Sequence, residues 1–365
     1  MPEFQLDDEQ QQLQDTMIRF AENELRPIAR ACDDARQVPD ELFTKMAELG
    51  LYAQFIPEAY GGYELPHSVV TGAIIAEELA WGDVGLAMAM LAPLSVILPV
   101  VQFGTDEQKQ ALLPAFCAEP MSHAAAALME PDVNFDPRAL QTTLTQTGDA
   151  FVLNGKKCYV PLADRAHHLL VYAQHETRGI VAVIVDAKQT GVSMSEQEYN
   201  MGLRTLPTFT VTFDNVKVTQ EQLLGGEKGI DFERVLNHSR ATQSALAVGL
   251  ARSSYEFARD YAKERKAFGQ FIAQKQAIAF MLAEMAMEID AMRLLAWRAS
   301  FELDQQRVAT REATLAKQYC GEKCMTIVDY GIQVLGGHGY IRTNPVELWF
   351  RNGRAMAIVE GLAML

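Results

Sequence analysis

The sequence predicts an α+β protein that is mainly α-helical, with a β domain between two helical domains. Over residues 1–120, apolar residues recur at helical spacing. Between 121 and 226 this pattern gives way to a period of two, with short apolar runs separated by turn residues. From 227 to 365 the pattern is helical again, in longer units. These three ranges are the predicted domains.

The N-terminal range carries signals for the start and end of several helices. Asp7 and Gln10 form a capping-box pattern that starts the first helix, and Pro27 ends or kinks it. A short helix is predicted over residues 40–49, where Gly50 ends it. Further helices are predicted near 67–80, 84–103 and 106–118.

The middle range contains turn residues between short apolar runs. Gly148-Asp149 lies between residues 140–147 and 150–153, which favours two strands joined by a turn. Asn154-Gly155 then separates 151–153 from 158–160, and this dipeptide predicts a hairpin. Residues 181–186 and 208–218 are predicted to form further strands.

The C-terminal range predicts a helix bundle. A helix beginning at Gln276 carries an apolar seam at alternating spacings of four and three, formed by Ile278, Leu282, Met285, Ile289, Met292, Ala296 and Ala299. The preceding helix is marked by Leu246, Leu250, Phe257 and Tyr261. Gly336-Gly337 ends a third helix, in which Cys320 and Cys324 are expected to be core residues.

Composition and missing motifs exclude several classes of function. The chain has 47 acidic and 32 basic residues and a net charge of −15, which argues against nucleic acid as a partner. Five widely spaced cysteines and no zinc motif predict neither disulfides nor a metal site. Met1–Gln5 does not resemble a secretory signal, and Pro93 and Pro99 interrupt the most apolar run, Val84–Val101. We expect a cytoplasmic protein without a membrane span.

Several motifs carry a family resemblance along nearly the whole chain. Tyr261–Gln270 resembles the Y-x-x-x-R-x-x-F-G signature of acyl-CoA dehydrogenases. Gln333–Tyr340 resembles the Q-x-x-G-G-x-G-Y element of that family, and Ile358–Gly361 resembles its I-x-E-G. In the β domain, Met201–Arg204 and Phe213–Val216 match family phrases. Their order and spacing identify the chain as a member of the family.

The resemblance implies an architecture, a cofactor and partners. It implies a helical N-terminal domain, a β-barrel-like middle domain and a C-terminal four-helix bundle, assembled as a dimer of dimers. FAD would lie between the middle domain and the bundle, and a neighbouring subunit would cover its pyrophosphate end. The substrate would be an acyl-CoA, and the electron acceptor an electron-transferring flavoprotein. A substrate on a carrier protein instead of CoA remains an alternative.

The resemblance also assigns candidate cofactor contacts. Arg265 is a permanent cation suited to pyrophosphate, and glycines allow close approach of backbone N–H groups. The alternatives are a surface salt bridge for Arg265 and a helix cap for the glycines. The residues expected to contact a neighbour's FAD are Arg265, Phe268, Gln333, Gly336 and Gly337, and Gln276 is a further expected FAD contact. Those expected to contact the chain's own FAD are Leu128, Met129, Tyr159 and Val160.

Glu360 is the candidate base. The α-proton of a thioester is weakly acidic, so its removal needs a carboxylate that apolar surroundings make more basic. Glu360 stands among Ala357, Ile358, Val359, Leu362 and Met364, which predicts such surroundings. The alternative is a surface glutamate. Some relatives carry their base near residue 239, where this chain has Ser239. Arg240 and Asn134 are candidate contacts of the substrate, and a surface ion pair is the alternative for Arg240.

The departures from the family pattern are concentrated around the chain's own flavin. Met129–Asp136 replaces T-E-P-x-A-G-S-D, and Tyr159-Val160-Pro161 replaces W-I-T. After Gly361 the expected Thr is Leu362, and the usual last helix is missing from the sequence. Because the contacts to a neighbour's flavin are kept, a second hypothesis follows. In it, the chain pairs with a paralogous chain in a heterotetramer, completes that partner's FAD site, and binds little or no FAD itself.

Overall fold

The computed structural model describes residues 6–63, 65, 67–118, 123–148, 150–361 and 363–365. The predicted features at Met1–Gln5, Asp149 and Leu362 lie outside these ranges, as does the predicted domain limit at 120/121. The remaining elements run in the predicted order, with helices first, then a curled sheet and then long helices. The predicted fold class is therefore confirmed, while the domain limits stay predictions.

The N-terminal helices begin at side chains that cap their first turn. Asp7 accepts a hydrogen bond from the Gln10 backbone N–H, and the predicted capping box is present. Ser68 and Asp83 cap two later helices in the same way. The helices are α1 (Asp8–Phe20, continued by a π-helical turn over Ala21–Leu25), α2 (Ala29–Ala35), α3 (Asp40–Glu48), α4 (Val69–Gly82), α5 (Val84–Leu91), α6 (Leu94–Phe103) and α7 (Asp106–Leu112).

Helices α5 and α6 form the centre of the main core. Every residue of α5 is buried, and so are the first seven residues of α6. Among the described residues, the stretch Val84–Phe103 is apolar and long enough to cross a membrane, but 94% of its apolar window is buried inside the protein. Pro93 stands between the two helices and has no backbone N–H to donate to the preceding turn, so the stretch bends there.

The middle of the chain folds into one curled sheet. Strand β4 pairs with β1 and β2 along one side and with β5 along the other, and β2 continues the sheet to β3, β7 and β6. Alternate side chains on these strands enclose a second core that includes Leu144, Phe151, Val160 and Phe213. The strands are β1 (Ala124–Ala127), β2 (Thr143–Thr147), β3 (Ala150–Pro161), β4 (His168–His175), β5 (Gly179–Asp186), β6 (Val192–Met194) and β7 (Thr208–Val218).

The hairpin predicted at Asn154-Gly155 is wrong. Strand β3 runs through both residues, because it pairs with β7 on each side of them, with a register shift between Leu153 and Gly155. A Cβ at Gly155 would lie 2.5 Å from Thr142 Oγ1, so glycine accommodates the bulge. The chain reverses instead at Gly148, between β2 and β3.

The C-terminal helices confirm the predicted seam. Five of its residues are fully buried, namely Met285, Ile289, Met292, Ala296 and Ala299, and Cys320 and Cys324 lie in the core as expected. Two short strands, β8 (Lys266–Ala267) and β9 (Gln270–Phe271), follow the first long helix. The helices are α8 (Phe232–Glu264), α9 (Gln276–Asp304), α10 (Thr310–Leu335), the single turn α11 (Gly337–Tyr340) and α12 (Val346–Met356).

Asp33 joins all three parts of the chain. It lies in α2 and is 1% exposed. Its carboxylate accepts two hydrogen bonds from Arg351 of α12, at 2.7 and 3.0 Å. Arg204, which follows the middle sheet's β6, approaches the same carboxylate at 3.8 Å. A buried carboxylate needs compensating cations, and here they come from separate segments.

Candidate active site

The chain beyond α12 turns back into the protein and buries Glu360. The Glu360 side chain lies between α8 and α10, where Arg240 and Lys317 approach it. Arg240 Nη2 is 2.9 Å from Glu360 Oε1, and its Nε is 3.3 Å from Oε2. Lys317 Nζ is 3.4 Å from Oε1. The predicted burial of Glu360 is present, but its surroundings are cationic as well as apolar.

Lys317 was not among the residues expected from the sequence. Burial lowers its pKa, and the nearby Glu360 carboxylate opposes that shift. Arg240 also donates from Nη1 to Thr314 Oγ1 at 3.0 Å. Thr314 and Lys317 therefore form a polar side of α10 next to the buried stripe of Ala313 and Ala316. That change of polarity within a helix was the available signal in the sequence.

The backbone N–H of Glu360 points at Met129, one of the predicted flavin contacts. Its nitrogen is 3.3 Å from Met129 Sδ. A thioether sulfur is a weak hydrogen-bond acceptor, so a carbonyl oxygen placed there would compete well for this N–H. Leu128 packs against the next residue, Gly361, where a Cβ would come within 2.7 Å of Leu128 Cδ2. Leu128, Met129 and Glu360 are thus brought together, as the sequence predicts for one site.

A buried lysine holds the loop that carries Leu128 and Met129. Lys157 Nζ donates to Leu128 O at 3.0 Å and pairs with Glu130 Oε1 at 2.8 Å. Glu130 also accepts the backbone N–H groups of Gln141 and Thr142. Burial lowers the pKa of Lys157 to about 8, although Glu130 acts to raise it. These contacts hold in place the loop that carries Leu128 and Met129.

A small cavity lies beside Gly361, the residue that follows Glu360. Its volume is about 10 Å³, roughly the space of one water molecule. The Ser95 hydroxyl is buried in this region and, within the described ranges, has no hydrogen-bond partner. Ser239, at the position where some relatives carry their base, donates to Ala363 O at 2.8 Å. The cavity wall includes Ser95, Leu128, Tyr172, Phe232, Ser239 and Met364.

A larger slot separates the sheet from the segment before Glu360. Its volume is about 130 Å³, and its lining is mostly apolar. Tyr159 forms one wall with a positive φ of 52°, and its backbone N–H donates to Glu198 Oε1 at 3.3 Å. Val160 pairs with Phe209 and turns its side chain into the core of the sheet, away from the slot. The other walls include Met201, Leu203, Thr208, Arg354, Ile358 and Val359.

A third cavity contains three of the residues expected to reach a neighbour's cofactor. It measures about 310 Å³ and is lined by Arg265, Gly336 and Gly337, together with Tyr261 and His338. In the part of the chain that the structure describes, the Arg265 guanidinium makes no hydrogen bond or ion pair. A Cβ on Gly336 or Gly337 would meet nothing within 4 Å, so both glycines face open space.

The remaining predicted cofactor and substrate contacts are exposed side chains on the protein surface. Phe268 is 96% exposed, and Lys275 Nζ stands 5.7 Å above its ring centroid. Gln333 is exposed in the last turn of α10, and Gln276 is the exposed first residue of α9. Asn134 lies in an exposed turn, where its N–H donates to Asp132. Their roles stay predictions.

The residues present fit the parts of FAD. An unpaired guanidinium beside two glycines suits a pyrophosphate, because cationic and backbone donors can both approach it. The mostly apolar slot beside Tyr159 suits a flat ring system, and it lies next to the segment that carries Glu360. The slot is open in this chain, although Met129–Asp136 and Pro161 lack the hydroxyl groups of the family pattern.

Comparisons with known proteins agree with this geometry. The N-terminal, middle and C-terminal domains of acyl-CoA dehydrogenases match residues 7–120, 125–216 and 229–363. A caffeyl-CoA reductase–Etf complex subunit from Acetobacterium woodii is 35% identical over 96% of this chain and 96% of that protein. Butyryl-CoA dehydrogenase from Megasphaera elsdenii superposes with a TM-score of 0.88 at 30% identity, over 98% of this chain and 95% of that one.

The cofactor follows from the same comparisons. The FAD complex of PigA superposes with a TM-score of 0.89 at 26% identity, over 98% of this chain and 94% of that chain. Family matches along the whole fold, relatives that are oxidoreductases and a site that fits the flavin lead to one conclusion: this chain belongs to the acyl-CoA dehydrogenase family, whose cofactor is FAD.

Proposed function

We propose that this chain catalyses the FAD-dependent α,β-dehydrogenation of an acyl-CoA thioester, with Glu360 as the base. The observation that carries the proposal is the burial of Glu360 on a segment whose preceding residue, Val359, lines the slot and whose following residue, Gly361, lines the small cavity. A carboxylate in that position can reach the α-carbon of a thioester inserted between Met129 and the slot. Its burial excludes competing water.

Two groups of Glu360 act in this reaction. The carboxylate removes the proton from Cα. The backbone N–H leaves Met129 Sδ and donates to the thioester oxygen, where negative charge develops as the proton departs. Arg240 is bonded to both oxygens of the carboxylate, so it must move away or share its bonds when the substrate enters. A polar group of the pantetheine chain is a suitable new partner for Arg240.

Arg265, Gly336 and Gly337 would hold the pyrophosphate of FAD from a neighbouring subunit, and Tyr159 would lie against its ring in the chain's own slot. Bound FAD would supply the oxidising equivalent for the hydride that leaves Cβ. The products are a trans double bond in the substrate and a protonated Glu360. The same residues serve in the reverse direction, which is consistent with a relative named as a reductase.

The family also suggests the wider setting of the reaction. We infer a cytoplasmic homotetramer that passes electrons to an electron-transferring flavoprotein. A relative that is a subunit of an Etf complex supports that acceptor. The open Arg265 cavity supports an assembly in which a second subunit completes the site.

Glu360→Gln tests the base directly. In flavin-loaded protein mixed with an acyl-CoA, we expect flavin reduction to slow by about 10²- to 10⁴-fold, the usual contribution of a positioned base. Glu288→Gln is the matched control, because it removes a carboxylate that pairs with Lys323 in the same helical domain. Undiminished reduction in Glu360→Gln would refute the mechanism.

A second candidate function is a partner subunit that completes a paralogue's FAD site. The observation in its favour is the contrast between Arg265, which is unpaired within the described residues, and the motifs expected at the chain's own flavin, which lack the hydroxyl groups of the family pattern. The chain purified alone should be recorded in the visible region. A stoichiometric yellow protein bleached by an acyl-CoA supports the first function. A colourless protein that turns yellow only on co-expression with a paralogous chain supports the second.

A further inference from the structure

Gln243 bonds to the backbone on both sides of Glu360. It lies on α8, one turn from Arg240, and is 3% exposed. In the carboxamide orientation that satisfies both of its ends, the nitrogen donates to Val359 O at 2.8 Å. The carboxamide oxygen accepts the Gly361 N–H at 2.9 Å. One side chain therefore engages the residue before the carboxylate and the residue after it.

The backbone at this point leaves little freedom for Glu360. Gly361 has a φ of 70°, a region that favours glycine, and Leu128 fills the space that a Cβ would need. The Glu360 N–H faces Met129 Sδ. With Val359 O and Gly361 N held by Gln243, three successive backbone groups have fixed partners. These contacts set the direction of the Glu360 Cα–Cβ bond.

Several polar residues of α8 bond to different parts of the segment that carries Glu360. Arg240 contacts the carboxylate itself. Ser239 and Thr242 contact the chain further on, at Ala363 and Leu365. Among the side chains that the structure describes, only Gln243 bonds to the residues on both sides of Glu360, so a shift of that backbone disrupts these bonds. Each such bond is buried, and a broken one leaves an unpaired polar group.

We propose that Gln243 is a positioning residue that sets the direction of Glu360 towards the substrate Cα. This inference rests on the proposed function, because it takes Glu360 as the base. Gln243 itself touches neither substrate nor cofactor in this role. Displacement of a catalytic group by about 1 Å can lower a rate by about 100-fold, so the effect belongs in kcat rather than in substrate binding.

The test compares Gln243→Met with Gln108→Met. Gln108 is also a buried glutamine whose carboxamide bonds to backbone, at Glu221 O, Leu223 O and Gly225 N, far along the chain from Glu360. In holoenzyme we expect Gln243→Met to lower kcat by about 10- to 100-fold with KM changed less than about threefold. Hydrogen exchange in the peptide containing residues 357–365 should rise at least about tenfold. Gln108→Met should leave both quantities at their wild-type values.

Gln243→Glu is a conservative variant in which kcat should recover at low pH. A protonated carboxyl group can donate to Val359 O and accept from Gly361 N, as the carboxamide does, whereas a carboxylate cannot donate. We therefore expect kcat of Gln243→Glu, relative to wild type, to recover as the pH is lowered, while Gln243→Met shows no recovery. A residue with only a general stabilising role would not produce this pH dependence.

The outcomes separate this inference from the proposed function. The positioning role is overturned if hydrogen exchange of residues 357–365 in Gln243→Met stays at the wild-type rate. It is also overturned if Gln108→Met loses as much kcat as Gln243→Met does. Both conclusions hold even if Glu360→Gln is inactive. Faster exchange in Gln243→Met together with full activity in Glu360→Gln overturns the base instead. Recovery of Gln243→Glu at low pH, with the exchange result above, supports both.

Discussion

Arg240 holds both carboxylate oxygens of Glu360, with Nη2 2.9 Å from Oε1 and Nε 3.3 Å from Oε2. The two side chains come from α8 and from the segment beyond α12, and each is less than a tenth exposed. The residue proposed to remove the proton is therefore also half of a buried ion pair. A change to this ion pair should therefore affect both the proposed proton transfer and the stability of the segment beyond α12.

Loss of Arg240 should destabilise the fold. In Arg240→Met the buried Glu360 keeps, among the described residues, Lys317 as its one cation within 4 Å, so we expect the free energy of unfolding to fall by about 3 kcal/mol. Arg240→Lys, which keeps the charge but cannot span both oxygens, should lose less. Denaturant unfolding at matched flavin content measures both. Arg259→Met is the control, because its exposed pair with Asp260 should contribute under about 1 kcal/mol.

Removal of Lys157 should release the Met129 loop. Lys157→Met leaves Glu130 buried without its cation, and we expect a loss of about 3–5 kcal/mol. The double variant with Glu130→Gln should recover part of this loss, since it removes the uncompensated charge. A double variant no more stable than Lys157→Met would show that the pair does not act as one unit.

Lys157 also predicts a pH dependence of stability. Burial holds its pKa at about 8 in the folded chain, below the value of about 10.4 expected when unfolded. Between these values the unfolded chain binds more protons, so this residue makes stability rise with pH, by roughly 1 kcal/mol per unit. The difference in unfolding free energy between wild type and Lys157→Met should grow from pH 8 to pH 10. A constant difference would contradict the assigned shift.

The buried His238 should make the folded state less stable in acid. Burial lowers its pKa to about 3, and in the described ranges neither ring nitrogen has a hydrogen-bond partner. Below about pH 6.5 His238 is protonated in the unfolded chain but stays neutral in the folded chain. The folded state therefore loses stability as the pH falls towards 3. The stability of His238→Phe relative to wild type should improve by about 1.4 kcal/mol per pH unit between pH 6 and pH 4. Parallel profiles would exclude His238 as the cause.

Arg265 should affect flavin retention without affecting the fold. Its guanidinium lies at the edge of an open cavity, so Arg265→Met should change the stability of flavin-free protein by less than about 0.5 kcal/mol. If it contacts pyrophosphate, the FAD content of purified protein should fall about tenfold or more. Arg311→Met, at an exposed pair on α10, is the control. Unchanged FAD content would remove Arg265 from the cofactor site.

Local patterns in the sequence predicted much of the fold. The strand at 208–218 and the seam of α9 follow from periodicity, which survives in the structure because both elements bury one face. The hairpin at Asn154-Gly155 failed because pairing with β7 outweighed the local turn preference. The burial of Glu360 was predictable from its apolar neighbours. Its contact with Lys317 was not, since the rotation of α10 about its axis depends on packing rather than on the sequence of α10 alone.

The shared carboxylate of Asp33 means that the three parts of the chain are not interchangeable modules. Arginines from the segment after β6 and from α12 converge on one charge carried by α2. Expression of any part by itself would separate the Asp33 carboxylate from arginines that compensate it in the intact chain. Loss of order should consequently spread through the whole chain in one cooperative step, and a truncated fragment would be a poor substitute for the intact protein.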